Sequence, residues 1–129
     1  MGHTPELLTS VELEMMNILW KLGEGSVRDV QAKLPQERKL AYTSVSTILR
    51  ILEKKGILSG RKQKQGRGHT YVPLINKSSY ESKSLDSLVE NVFEGAPLGL
   101  VKRLIEDKKI SDHELHELQK LIQKMDSNA

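Results

Sequence analysis

The chain has 129 residues, 37% hydrophobic and 29% charged, which suits one small folded domain with an appendage and is too apolar for a disordered chain. Cysteine is missing and aromatic residues are only 4%, which excludes disulfides, zinc fingers and thiol redox sensing and leaves few surfaces for stacking single-stranded bases. The net charge of +3 is uneven: residues 1–75 hold 12 Lys/Arg and 7 Asp/Glu, residues 76–129 hold 8 and 10, and residues 38–67 hold nine cations with Glu53 as their one acid.

Thr9 and Glu12 have the Thr-x-x-Glu spacing of a capping box, and Val11, Met15, Ile18, Leu19 and Leu22 recur at helical intervals, flanked by Met16 and Trp20. The pattern predicts a first helix over about residues 10–22, stopped by Gly23 and Gly25. Ser26 caps a short second helix with Val27, Val30 and Leu34 on one face and Pro35 at its end. A polar connection, Gln36 to Leu40, leads to a third helix over about Tyr42 to Lys55, closed by Gly56. Its apolar stripe is Val45, Ile48, Leu49 and Leu52, with Ile51 beside it. Its other face carries Thr43, Ser44, Ser46, Thr47, Arg50 and Lys54. Hydroxyl residues are mediocre helix formers, and a helix built for stability alone would carry Ala, Glu and Lys there. Short hydroxyl side chains do suit a helix entering a major groove, where they approach phosphates and base edges closely.

From Ile57 the period changes to two. One strand runs through Gln63, Gln65 to Gly68 supply a turn, and His69 to Leu74 return, making a basic β-hairpin. Asn76 or Ser78 caps a further helix with Tyr80, Leu85, Leu88, Val89, Val92 and Phe93 in its apolar set, and Gly95 ends it. Pro97 opens the next, followed by Leu98, Leu100, Val101, Leu104 and Ile105. Ser111 and Glu114 form another capping box before Leu115, Leu118, Leu121, Ile122 and Met125.

Three helices followed by a basic hairpin is the layout of a winged helix-turn-helix. The expected fold is therefore mainly α with a small β wing: a DNA-binding domain over 1–75 and a helical dimerisation region over 76–129. The expected duplex contacts are Arg38, Lys39, Thr43, Ser44, Ser46, Thr47, Arg50, Lys54, Arg61, Lys62, Lys64, Arg67 and His69, with the hairpin cations holding phosphates and the third helix reading bases. The apolar stripes beyond a self-sufficient winged helix call for a partner, and a symmetric homodimer is the commonest one. The dimer residues are expected to be Leu85, Leu88, Val89, Val92, Phe93, Leu100, Val101, Leu104, Leu115, Leu118, Leu121 and Ile122. No segment approaches the roughly 20 apolar residues of a membrane span, and Met1 to Ser10 lack a signal-peptide core, so a cytoplasmic protein without membrane insertion is expected.

Leu19-Trp20-Lys21 with Gly23, then Ala41 to Val45, Leu52 to Leu58 and Tyr71-Val72-Pro73-Leu74, together resemble the BlaI/MecI/CopY repressors over nearly the whole chain. The resemblance implies a homodimeric transcriptional repressor on a palindromic operator. Relatives often carry a basic residue where this chain has Ser46, which implies a different operator preference. The copper-responsive branch ends in a cysteine-rich metal motif that this chain lacks. The antibiotic-responsive branch is released when a membrane sensor-protease triggers cleavage of an Asn-Phe bond. Here Asn91 is followed by Val92, which leaves another bond, such as one within 87–93, as the alternative.

Nothing points to catalysis, a metal or a cofactor. His113 and His116 lie three apart, but one helix offers only two good ligands, and no phosphate-loop or nucleophile motif occurs. The competing readings are a winged-helix protein-protein interaction module with an oligomerisation arm, and a nonspecific architectural DNA binder. The second needs bending wedges and more charge than +3.

Overall fold

Six α-helices and one two-stranded antiparallel sheet make up residues 7–62 and 68–127, the part described by the computed structural model. They are α1 (Ser10–Leu22), α2 (Val27–Lys33), α3 (Tyr42–Lys54), β1 (Leu58–Lys62), β2 (His69–Pro73), α4 (Lys77–Asn91), α5 (Pro97–Glu106) and α6 (Asp112–Ser127). The polar connection between α2 and α3 holds a single 3-10 turn at Gln36–Arg38. Among the described residues no helix is long and apolar enough to cross a membrane.

The chain divides into two compact units, one ending at Ser84 and the other beginning at Leu85. The first is built on the stripes legible in the sequence. Met15, Met16 and Leu19 of α1, Val30 of α2, Val45, Leu49 and Leu52 of α3, and Leu58 of β1 are fully enclosed. Burying each such side chain contributes about 1.5–3 kcal/mol against the entropy of ordering it. Leu22 and Ile51, at the ends or edges of their stripes, stay exposed.

The hairpin pairs Leu58 with Pro73 through Lys62 with His69, and Leu74 N–H donates to Ile57 O to close its base. A further bridge ties β2 to the turn after α1: Tyr71 N–H donates to Gly25 O at 2.8 Å, and Gly25 N–H donates to Tyr71 O at 3.0 Å. Glycine at 25 also lets this turn lie close against α2, because a Cβ there would stand 3.2 Å from Asp29 Cβ. The start of α4 also belongs to this unit. Asn76 caps it through Ser79 N–H, Tyr80 Oη accepts from Leu8 N–H, and the Tyr80 ring lies 5.7 Å from that of Trp20. Trp20 Nε1–H in turn donates to Ile75 O.

The second unit contains the rest of α4, α5 and α6, and none of these helices has a buried residue. Leu85, Leu88, Val92, Val101, Leu121 and Ile122 are exposed, while Val89, Phe93, Leu100, Leu104, Leu115 and Leu118 are partly covered. The expected extension of α4 to Phe93 does not form. The helix ends at Asn91, and Gly95 N–H donates to Val89 O across a turn with Glu94 and Gly95 at positive φ. The Ser111–Glu114 capping box is present at α6.

Glu12 is the one buried charged residue among those described, at 5% exposure. Its carboxylate accepts from Thr9 N–H in the capping box and from Lys55 Nζ at 2.8 Å, joining α1 to the end of α3. Burial pushes the Glu12 carboxyl up, but the Lys55 and Thr9 hydrogen bonds and the Lys55 charge outweigh it, and the pKa falls below its ordinary 4.5. A carboxyl lowered by folding stabilises the fold above its unfolded pKa, and that contribution is lost as the pH falls through the folded value. Glu12→Gln is expected to cost about 1–2 kcal/mol at neutral pH, less than for a fully buried pair because Lys55 reaches solvent. It should also flatten the loss of stability below pH 4.5, as urea unfolding at neutral and acid pH will show.

Candidate nucleic-acid interface

Most hydroxyls of α3 are left over by the fold. Its N-cap is Ala41, which offers no side-chain cap, so the clustered hydroxyls do not serve as caps there. Thr47 Oγ1–H donates back to Thr43 O at 2.8 Å, the usual resort of a threonine inside a helix. The hydroxyls of Thr43, Ser44 and Ser46 bond to no other described residue, and Thr43, Ser44, Thr47, Arg50 and Lys54 are exposed. With Val45, Leu49 and Leu52 fixing the inner side, residues 43, 47, 50 and 54 form the outer ridge. Ser46 departs from that ridge. It is half-buried on the flank that turns toward β2.

Between that flank, the start of α2 and β2 lies a cleft of about 130 Å³, lined by Ser26, Arg28, Tyr42, Ser46, Arg50, His69 and Tyr71 among others. Tyr42, Ser46 and Arg50 enter it at successive turns of α3. Arg28 lies over the Tyr42 ring at 5.9 Å, and His69 and Tyr71 have ring centroids 6.3 Å apart. Among the described residues no carboxylate lines the cleft.

The other predicted cations differ in how free they are. Arg38 holds both carboxylate oxygens of Glu14 at 3.0–3.2 Å, and Arg61 reaches Glu24 at 3.4 Å. Lys39, Lys54, Lys62 and His69 are exposed. Lys64 and Arg67, at the expected wing tip, lie outside the described residues. Gly60 seats the wing against α3: its N–H donates to Glu53 Oε2 at 3.0 Å, and a Cβ there would come within 2.6 Å of that oxygen. Arg28, Tyr42 and Tyr71 were not expected at the site. Arg28 stands outside the basic run of 38–67, and no local pattern marks it. Among the described residues no group of acidic and histidine side chains could hold a metal, and His113 and His116 are exposed on α6.

A family model described as penicillinase repressor matches residues 8–124. The methicillin resistance regulatory protein MecI of Mammaliicoccus sciuri is 25% identical over 117 residues, covering 91% of this chain and 94% of its own. The penicillinase repressor of Bacillus licheniformis is 27% identical over 116 residues, covering 90% and 89%. Among solved structures, the DNA-binding domain of the repressor BlaI is 31% identical, with a TM-score of 0.49, over 62% of this chain and 94% of that one.

The Tyr71 phenol, 3% exposed at the edge of the cleft, gives the site a measurable signature. Burial, then the charge of Glu53, push its pKa above the ordinary 10, while Arg50 pulls the other way. A group raised by folding stabilises the fold below its unfolded pKa, and that contribution is lost as the pH rises through the folded value. Tyr71→Phe should therefore flatten the loss of stability above pH 10, measured by alkaline unfolding with ultraviolet absorbance.

Proposed function

Since the chain belongs to the penicillinase repressor family and is a transcriptional repressor, we propose that it acts as a homodimer on an inverted-repeat operator in duplex DNA. Such a protein works by occupancy and is not an enzyme. The observation that carries the reading is the outer ridge of α3, where hydroxyls unused by the fold lie beside exposed Arg50 and Lys54. This ridge enters the major groove, and β1 and β2 lie along the phosphates.

Dimerisation through the second unit is supported by the lack of any buried residue among those described in it. Leu85, Val92, Leu98, Leu121, Ile122 and Met125 are each at least half exposed, and a second copy covers them by symmetry. Two-fold symmetry in the protein then matches an inverted repeat in the DNA. Release through a membrane sensor-protease, the route the family resemblance implies, needs a scissile bond other than Asn-Phe. The exposed turn after Asn91 offers one.

An operator selected by the full chain from random duplexes makes the reading testable. The protein is expected to sediment as a dimer. A version ending at Ser84 should sediment as a monomer and bind the selected duplex at least about 100-fold more weakly, because linking two half-site modules raises their effective concentration. Equal affinity of the two versions would exclude the dimer.

Thr43→Ala and Ser44→Ala should each cost about 1 kcal/mol on that duplex and much less on a scrambled one. Equal losses on both duplexes would show that this face holds only the backbone. Salt-independent binding, or none, would favour the protein-interaction reading.

A further inference from the structure

Arg28 and Arg50 meet the cleft from two different elements, α2 and α3. The Tyr42 ring underlies the Arg28 guanidinium, and Tyr71 stands beside Arg50. Neither arginine is ion-paired with another described residue, in contrast to Arg38 and Arg61. Two arginines lining one cleft, with no carboxylate among the described residues that line it, suit an oxyanion. Ser26 and Ser46 add hydroxyl donors at its wall. The volume, about 130 Å³, decides what kind of oxyanion fits. It is well below the roughly 300 Å³ at which pockets enclosing a small molecule begin, so it takes a group rather than a whole ligand.

We propose that this cleft seats one backbone phosphate of the bound duplex, clamped between Arg28 and Arg50, and that Arg50 therefore fixes the depth of α3 and does not read a base. The assignment rests on the duplex-binding reading above. It adds Arg28 to the interface and moves Arg50 and Ser46 from base recognition to the phosphate. Thr43, Ser44 and Thr47 remain for the base edges. The clamp also explains why Arg28 and Arg50 come from different elements: a phosphate between them ties the recognition helix to the helix before it, and β2 closes the third side.

The test uses the full chain with the selected operator and a scrambled duplex. Arg28→Ala and Arg50→Ala should each weaken both duplexes by the same factor, roughly tenfold, and make the salt dependence shallower by about one unit. The two losses should not multiply in the double variant, since both act on one group. Arg28→Lys, which keeps the charge, should recover part of the loss. Operator duplexes carrying a neutral methylphosphonate at successive backbone positions locate the group. One position per half-site should weaken the wild type and have no further effect on Arg28→Ala. Arg28 is exposed, so its variants fold as the wild type does.

A loss confined to the operator would show that Arg50 reads a base and would overturn the clamp. Full duplex affinity in Arg28→Ala would also overturn it. If that variant at the same time loses binding of inorganic phosphate, followed by phosphorus line broadening, the cleft serves a free phosphorylated ligand instead. A wild type that binds neither duplex would overturn the functional reading itself, which the variants do not address.

Discussion

Tyr71 is tied from both sides. Its own N–H and C=O pair with Gly25, while across the hairpin it faces Gly60. Both neighbours are glycines, and a Cβ at either would crowd Asp29 or Glu53. This double seat turns a two-stranded hairpin, marginal by itself, into an extension of the helical core. It also sets the distance between β2 and α3, and so creates the cleft that Tyr71, Arg50 and Ser46 share. The side of the Tyr71 ring completes the core formed by Met15, Leu19, Val45 and Leu49. One residue therefore serves the packing and fixes the shape of the binding face.

Charge is distributed by the same logic. The positive field of residues 38–67 looks uniform when counted along the chain, but folding divides it. Lys55 is used to neutralise buried Glu12, Arg38 is held by Glu14, and Arg61 is held by Glu24. Those pairs join positions 43, 24 and 37 residues apart. Of the cations left over among the described residues, Arg50 and Lys54 lie on α3, Lys39 just before it and Lys62 at the end of β1. A surface that attracts phosphate is thus made as much by where the acids sit as by where the bases do.

The second unit reverses the balance of the first. Its helices begin at good signals, Pro97 for α5 and the Ser111–Glu114 box for α6, yet no side chain in them is buried. Local propensity and capping are enough to define the helices, and a fragment of this size cannot assemble a core from three narrow stripes. In the proposed dimer, the hydrophobic free energy that holds it comes from surface covered by the second copy.

What the sequence determined by itself was the set of elements. Capping boxes at Thr9 and Ser111, the cap at Ser26, glycines after α1 and α3, and the change of period at Ile57 place the helices and strands to within a residue or two, because these signals act over a single turn. The end of α4 departs from the pattern, because Val92 and Phe93 continue the apolar period while the backbone turns at Glu94 and Gly95. Tertiary structure alone decided how those elements share the binding face. It set Ser46 on the flank, buried Glu12 against Lys55, and joined Arg28 to Arg50 across 22 positions of sequence. Periodicity assigns a side chain to one face of its own helix. Which neighbour that face meets depends on packing contacts between segments far apart in the chain, and no local pattern encodes them.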